Sequence, residues 1–143
     1  MSKPDMARLV PELAVSSFAR SLAFYTEICG FSVLYARPEE RFAYLDRKGA
    51  QIMIEEHGQE GVRSWTADTL AYPYGRGMNL EIRVDAVAAL YDTCRAAGAR
   101  IFLEMEEKWY RRDDIFLGVR QFIVLDPDGY LLRFSESLGE KPA

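Results

Sequence analysis

The residue types that most often perform catalysis or hold transition metals are scarce in this sequence. The chain has one histidine, His57, and two cysteines, Cys29 and Cys94, and the cysteines lack the short spacing of a zinc site. A lone histidine in a polar segment is usually a solvated side chain, and here it accompanies no nucleophile. Both thiols fall late in helix-like segments, where buried cysteines are common. The sequence therefore favours ligand binding over chemistry that depends on His or Cys.

Charged residues within otherwise apolar segments offer a different chemistry. Strand alternation places Glu12, Glu55 and Glu81 on equivalent faces. One hypothesis is that these carboxylates provide oxygen ligands for a hard cation such as Mg²⁺ or Mn²⁺. The other is that Glu12 or Glu81 pairs with Arg83 or Arg133, in a network that keeps part-buried charges matched. Both interpretations remain open, and we favour the paired network.

Aromatic rings outside the periodic segments are the third group of candidates. Trp65 lies in a segment rich in glycine, and Trp109, Tyr110 and Phe116 lie in a second irregular segment. Flat rings of this kind stack on planar ligands and attract cations. The alternative is that each ring packs a loop onto the sheet or fills a subunit interface. We expect the set as a whole to contact a planar or cationic small molecule.

A duplicated fold has to position these side chains. Residues 41–56 match residues 121–136 at a constant offset of 80, with Phe, Leu, Asp, Gly and the final Glu in common. A pattern of strand, helix and glycine at 9–31 recurs at 78–100. The sequence therefore predicts two β-α-β-β-β modules and an α+β fold. The predicted organisation is one domain with module one at about 7–56, a linker at 57–77 and module two at 78–137.

Alternation and helical spacing give the predicted elements. The first helix should begin after Ser17 as its N-cap and end at Gly30, and the second, over 87–97, should end at Gly98. The predicted strands are 9–15, 31–36, 42–46, 51–55, 78–84, 100–105, 121–125 and 130–135. Alternation directs Arg133 away from the helices, and the residues expected on the helix side are Leu13, Ile54, Leu80, Leu132 and Phe134.

The two modules differ in length at one place. Between the second helix and the strand that begins at Gln121, module two carries about twelve residues more than module one has at the matching place. Loops longer than about 12 residues in compact domains are usually functional or disordered, and the aromatic rings argue against disorder. We expect this segment to form a lid loop in which Trp109 or Tyr110 stacks on the ligand, while Glu81 or Glu55 answers its charge.

Composition limits the class of protein and its partners. The chain has 143 residues, of which 49% are hydrophobic and 28% charged, as expected for one globular domain. Its net charge of -4 argues against nucleic acid as a partner. No apolar run reaches the roughly 18 residues of a membrane span, and no apolar signal core begins the chain. A cytoplasmic protein without a membrane partner is the expectation.

Three stretches, "FYTEICGF", "GMNLEIRVD" and "DPDGYLLRF", occur in the order typical of one group of proteins. In these stretches the chain resembles the vicinal-oxygen-chelate superfamily, in particular its glyoxalase and bleomycin-resistance branch. The resemblance implies paired β-α-β-β-β modules that form a cupped mixed sheet, with helices on the convex face and the ligand inside the cup. It also implies a homodimer.

The resemblance also bears on metal binding. In metal-using relatives the ligands come from the first and last strands of each module, and the motifs place those positions on Val10, Met53, Asn79 and Arg133. None of these is a convincing ligand, and a guanidinium repels cations. We therefore expect no metal and no other cofactor. The candidate ligand-binding residues are Trp109, Tyr110, Trp65, Phe116, Glu55, Glu81, Asn79 and Arg133.

Two functions follow from the resemblance, and the near absence of histidine from the chain decides which of them we prefer. The first is metal-free binding and sequestration of a planar, cationic molecule such as a bleomycin-type antibiotic. The second is a metal-dependent lyase or dioxygenase of the same fold. Fold alone does not decide between binding and catalysis.

Overall fold

The computed structural model describes residues 4–143, which divide at Tyr74 into two compact units. The first unit contains a four-stranded mixed sheet in the order β1-β4-β3-β2, with β1 parallel to β4. A π-helical turn, Phe24–Ile28, continues its helix. Its elements are β1 (Glu12–Val15), α1 (Phe18–Ala23), β2 (Ser32–Arg37), β3 (Phe42–Arg47) and β4 (Ala50–Glu56).

The second unit, Gly75–Ala143, repeats this architecture. Its elements are β5 (Asn79–Arg83), α2 (Val87–Ala96), β6 (Arg100–Arg112), β7 (Ile115–Leu125) and β8 (Leu131–Pro142). The sheet order is β5-β8-β7-β6, and β5 runs parallel to β8. Each unit therefore has the predicted β-α-β-β-β order, and the α+β class is confirmed.

The predicted helix boundaries are confirmed by the hydrogen bonds at the helix ends. Ser17 Oγ accepts a hydrogen bond from the Arg20 backbone N–H at 3.3 Å, as an N-cap residue does. The chain leaves the first helix through Gly30, whose φ of 78° is in the left-handed region, and leaves α2 through Gly98 in the same way. Neither α1 nor α2, in the part of the chain that the structure describes, has the length or hydrophobicity to cross a bilayer.

In the second unit, β8 shows which face of the sheet carries the helix. Tyr91 of α2 meets the Phe122 ring at 5.0 Å between centroids, and Phe122 meets Phe134 at 5.6 Å. Leu132 and Phe134 are fully buried on this side. Arg133 lies between them in sequence and therefore points to the opposite side, as predicted. We call this opposite side, defined by Asn79, Glu81, Arg83, Gln121 and Arg133, the open face of the second sheet.

The predicted lid loop is instead part of the sheet. The sequence predicts a strand at 100–105, but β6 continues to Arg112, and the chain then turns through Asp113, which has a φ of 55°. It pairs with β7 from Glu106↔Gln121 to Arg112↔Ile115. The prolonged β8 supports the hairpin from the other side, from Val119↔Ser137 to Ile115↔Pro142. Three paired strands satisfy the backbone groups that a loop would leave to water.

Candidate ligand-binding site

A cavity of about 590 Å³ lies on the second unit. Charged side chains from three strands line it: Glu81 and Arg83 from β5, Arg112 from β6, and Arg133 from β8. Tyr110 of β6 adds an aromatic ring, 42% exposed. The long hairpin brings Tyr110 and Arg112 to this surface, because both point to the same side of β6.

Gln121 connects the aromatic wall of the cavity to the charged wall. Its side chain is buried, and its Nε2 donates hydrogen bonds to the Tyr110 hydroxyl and to Glu106 Oε2, each at 2.9 Å. Its Oε1 accepts from Arg133 Nη1 at 3.4 Å. Amides supply donors and an acceptor at once, so one residue can hold a phenol and a guanidinium in place. Sequence analysis missed Gln121 because it stands in an apolar strand.

Arg133 is held on its other side by β5. Its Nε donates to Asn79 Oδ1 at 2.9 Å, and its Nη2 lies 3.8 Å from Glu81 Oε1. The Ser135 hydroxyl donates to Glu81 Oε2 at 3.0 Å. Glu81 and Arg133 therefore form the paired network predicted as one of two interpretations of these charges. Three of the predicted site residues, Asn79, Glu81 and Arg133, come together with Tyr110 on the open face.

Trp109 and Phe116 lie on the other side of the hairpin. Trp109 pairs with Gly118, and Phe116 pairs with Arg111, so both point away from Tyr110. The Trp109 ring covers Gly118 so closely that an added Cβ would lie 2.5 Å from the indole. Lys141 Nζ caps this ring at 4.1 Å from its centroid. Trp109 and Tyr110 therefore lie on opposite faces of the hairpin, and of the two rings expected to stack on a ligand, Tyr110 is the one that lines the cavity.

Glu55 and Trp65 belong to the first unit. Trp65 is 65% exposed, and the Arg63 guanidinium lies 5.2 Å from its centroid. Glu55 is half-buried on β4, on the face of the first sheet that also carries Glu12. Burial raises the pKa of the Glu55 carboxyl, and the negative charge of Glu12 raises it further. Burial also raises the pKa of Glu12, against the charge of Arg37.

Aromatic rings share the face of the first sheet that carries this acidic pair. Phe42 lies directly opposite Glu55 in the β3–β4 ladder. Tyr44 stacks on Tyr35 at 5.2 Å between centroids. Within residues 4–143, the positive charge that lowers the pKa of Glu55 is that of Arg37, and this side chain already forms an ion pair with Glu40 at 2.7 Å. Phe42 and Tyr44 are buried, and the Arg37 guanidinium lies 4.0 Å from the Phe42 centroid, so of these three rings Tyr35 is the exposed one. The face therefore combines negative charge with one exposed ring, a combination that attracts organic cations.

The donors present do not suit a metal ion. No group of three His, Cys, Asp or Glu side chains in residues 4–143 is arranged to hold one. Of the three acids considered for a hard cation, Glu81 is engaged by Arg133 and Ser135. Asn79 and Arg133, two positions that the resemblance associates with metal ligands, bond to each other instead. The single histidine is engaged as well, since His57 Nε2 and the Tyr74 hydroxyl are 2.9 Å apart.

Comparison with known proteins agrees with this architecture. The sequence model of the Glyoxalase/Bleomycin resistance protein/Dioxygenase superfamily matches residues 6–134. A bleomycin resistance protein from Geobacillus stearothermophilus is 27% identical over 139 residues, which cover 93% of this chain and 98% of the relative. A Staphylococcus aureus protein of the same name shows the same identity and coverage.

Solved structures show the same fold. TioX from Micromonospora sp. ML1 superposes with a TM-score of 0.70 at 26% identity, and the match covers 92% of this chain and 99% of TioX. A protein of unknown function from Agrobacterium tumefaciens has a TM-score of 0.68 at 25% identity, covering 95% of this chain and 98% of that one.

Proposed function

Because the chain belongs to the glyoxalase/bleomycin resistance protein/dioxygenase superfamily, we propose that it binds and sequesters a bleomycin-type antibiotic without changing it chemically. The ligand would be a large molecule with a planar part and a positive charge. The homodimeric state and the cytoplasmic location expected from the sequence belong to the same proposal. The relatives named bleomycin resistance protein support it, since the similarity extends over nearly the whole length of both chains.

The observation that carries the proposal is the cavity on the second unit with its preorganised lining. Its volume of about 590 Å³ is within the range of small-molecule sites, which are roughly 300 to 1,000 Å³. Gln121 holds Tyr110 and Arg133 in fixed positions before any ligand arrives. A lining that is ordered in advance loses little entropy on binding. Tyr110 offers the stacking surface for the planar part of the ligand.

The acidic pair on the first sheet supports the cationic part of the proposal. The carboxylates of Glu12 and Glu55 repel each other when both are charged, and burial makes the charged form of each less favourable still. A bound cation relieves that repulsion, and the exposed ring of Tyr35 favours a cation with an organic surface. Glu81 is less suited to this role because Arg133 already answers its charge.

The second candidate function, a metal-dependent lyase or dioxygenase, receives less support from the residues. Catalysis of that type needs a metal held by several protein donors with a position left open for substrate. Asn79 and Arg133 satisfy each other, and a guanidinium at such a position disfavours a cation. The first candidate therefore fits this chain better.

Calorimetric titration with metal-free bleomycin tests the proposal. Wild type should bind, and Tyr110→Ala should weaken binding by about 1 to 2 kcal/mol, as for a contact residue that loses its ring. Tyr72→Ala is the matched control, since Tyr72 is a tyrosine of the first unit with 44% exposure against 42% for Tyr110. The control should bind like wild type. Absence of binding to wild type, both in calorimetry and as a shift in Tm, would reject bleomycin as the ligand.

A further inference from the structure

The cavity of the second unit contains more positive than negative charge. Three guanidinium groups, from Arg83, Arg112 and Arg133, line it together with two carboxylates, from Glu81 and Glu140. Both carboxylates have a guanidinium close by. Glu81 Oε1 lies 3.8 Å from Arg133 Nη2, and Glu140 Oε2 lies 3.4 Å from Arg112 Nη2.

Arg83 carries the third guanidinium of the cavity, which is not paired with either of these carboxylates. It ends β5 on the open face, where its strand neighbour is Ser135. The Ser135 hydroxyl donates to Glu81 and offers Arg83 no negative charge. Within residues 4–143, the Arg83 side chain forms no hydrogen bond or ion pair, so its charge is left to water.

A ligand that fills the cavity removes this water. An arginine that loses its hydration without gaining a partner destabilises the complex strongly, whereas one that gains an oxyanion forms short, charge-assisted hydrogen bonds. The planar guanidinium fork suits two oxygens of a carboxylate, sulfonate or phosphate group. Ser137, also in the lining, accepts a hydrogen bond from the Gly139 N–H and keeps its own hydroxyl proton for donation. The neighbouring groups therefore favour an acceptor of negative charge.

We infer that the cavity of the second unit is an oxyanion subsite, which binds a planar ligand whose carboxylate, sulfonate or phosphate group lies at Arg83 while its ring lies on Tyr110. The inference rests on the proposed function only in treating this cavity as a ligand site. It assigns to the cavity a negatively charged group, so the positive charge expected of a bleomycin-type ligand would lie outside the cavity. It changes the expectation for Glu81: this acid positions Arg133 rather than answering a cation on the ligand.

A pair of probes with the same ring and opposite charge tests the inference. We would titrate 2-naphthalenesulfonate and 2-naphthylmethylammonium into wild type, Arg83→Gln, Arg83→Lys and Arg111→Gln at low ionic strength, with calorimetry as the readout. Arg111 is the matched control, because its side chain lies on the opposite side of the same sheet, where Nη1 donates a hydrogen bond to the Asp113 carbonyl. Its replacement removes the same charge without touching the cavity.

The sulfonate should bind wild type more tightly than the ammonium compound. Arg83→Gln should weaken sulfonate binding by about tenfold, as for the loss of one charge-assisted hydrogen bond, while Arg111→Gln stays within about twofold of wild type. Arg83→Lys keeps the positive charge but loses the planar guanidinium. Its affinity for the sulfonate should lie between those of Arg83→Gln and wild type. In wild type, the Arg83 Nε–Hε resonance should shift during the sulfonate titration, a measurement that needs no variant.

Equal sulfonate affinity in wild type and Arg83→Gln, an unmoved Arg83 resonance, or tighter binding of the ammonium probe would each overturn the inference. The outcome is separable from that of the proposed function. If wild type binds bleomycin but Arg83 has no effect on the sulfonate, the oxyanion subsite is rejected and sequestration stands. If the sulfonate binds through Arg83 but bleomycin does not bind, the subsite stands and the antibiotic is rejected.

Discussion

Arg133 Nε donates a hydrogen bond to Asn79 Oδ1 across 2.9 Å and so joins β8 to β5 at the place where the resemblance to metal-using relatives implies metal ligands. The amide oxygen is engaged, and the guanidinium repels cations. We predict that protein purified without chelators contains no stoichiometric zinc, manganese or iron. Elemental analysis of the purified chain measures this directly. One such ion per chain would contradict the prediction and favour the enzyme alternative.

Gln121→Leu should weaken both the fold and the binding of ligand. Gln121 is 2% exposed, and its loss leaves Tyr110, Glu106 and Arg133 without a hydrogen-bond partner on this side. Chemical denaturation should show a decrease of about 1 to 3 kcal/mol in the free energy of unfolding, the cost of stranding buried polar groups. Affinity for bleomycin should fall as well, because Tyr110 and Arg133 are no longer held in place.

Gln51→Leu is the control that separates a loss of stability from a loss of affinity for the ligand. Gln51 is 5% exposed, accepts a hydrogen bond from the Tyr44 hydroxyl at 2.6 Å and donates to Asp46 at 2.9 Å, all within the first unit. This variant should lose a similar amount of stability and keep its affinity for the ligand. Equal loss of affinity in both variants would mean that Gln121 acts only through stability.

The parts of the fold that could be predicted are those set by local chemistry. Glu56 and Glu136 were matched by the repeat alone, and the structure gives them the same task. Glu56 Oε1 accepts from the Phe18 N–H, and Glu136 Oε1 accepts from the Val87 N–H, each at 2.9 Å. Both acids thus satisfy a free donor at the start of a helix. Repeated sequence indicated repeated structure because the same local interactions recur.

The site was harder to predict because it depends on partners far apart in sequence. The charged residues around Arg111 and Arg112 do not look like a strand in the sequence. They belong to one because β6 pairs with β7, which in turn pairs with β8. Once β6 is known to be regular, alternation assigns Trp109 and Tyr110 to opposite faces. The sequence identified Arg83 and Glu81 as members of a charged group, but which carboxylate pairs with which guanidinium depends on the three-dimensional structure.

Glu55→Gln should stabilise the protein at neutral pH. Burial, and then the charge of Glu12, raise the pKa of Glu55 above its ordinary value of 4.5. At pH values below this ordinary pKa, the neutral carboxyl therefore stabilises the folded state. This contribution to stability is lost as the pH rises through the raised pKa. At pH 7 the variant should have a higher Tm than wild type, and the difference in Tm should disappear at pH values below the ordinary pKa of the carboxyl.

Thermal denaturation over this pH range measures the effect, with Glu60→Gln as a control for removing an exposed acid from the same unit. The control should change Tm little at any pH. A lower Tm for Glu55→Gln than for wild type at pH 7 would show that the charged carboxylate stabilises the fold, and the first sheet would then lack the unmatched charge that the proposal assigns to it.

Gly118→Ala should destabilise the long hairpin. The added methyl would lie 2.5 Å from Cη2 of Trp109, so the indole would have to move away from β7. Overpacking of this kind costs about 1 to 3 kcal/mol, measurable by urea denaturation. In a Trp109→Val background the same substitution should cost almost nothing. An equal cost in both backgrounds would show that the indole does not restrict this position.

An NMR titration of wild type with metal-free bleomycin shows directly where on the protein the ligand binds. If the ligand binds on the open face of the second sheet, the ring signals of Tyr110, the side-chain amide of Gln121 and the Nε–Hε signal of Arg133 should all shift with one common dissociation constant. The indole N–H of Trp109, on the other side of the hairpin and bonded to Glu107 at 3.0 Å, should stay in place. Shifts at Trp109 with none at Tyr110, Gln121 and Arg133 would contradict the account.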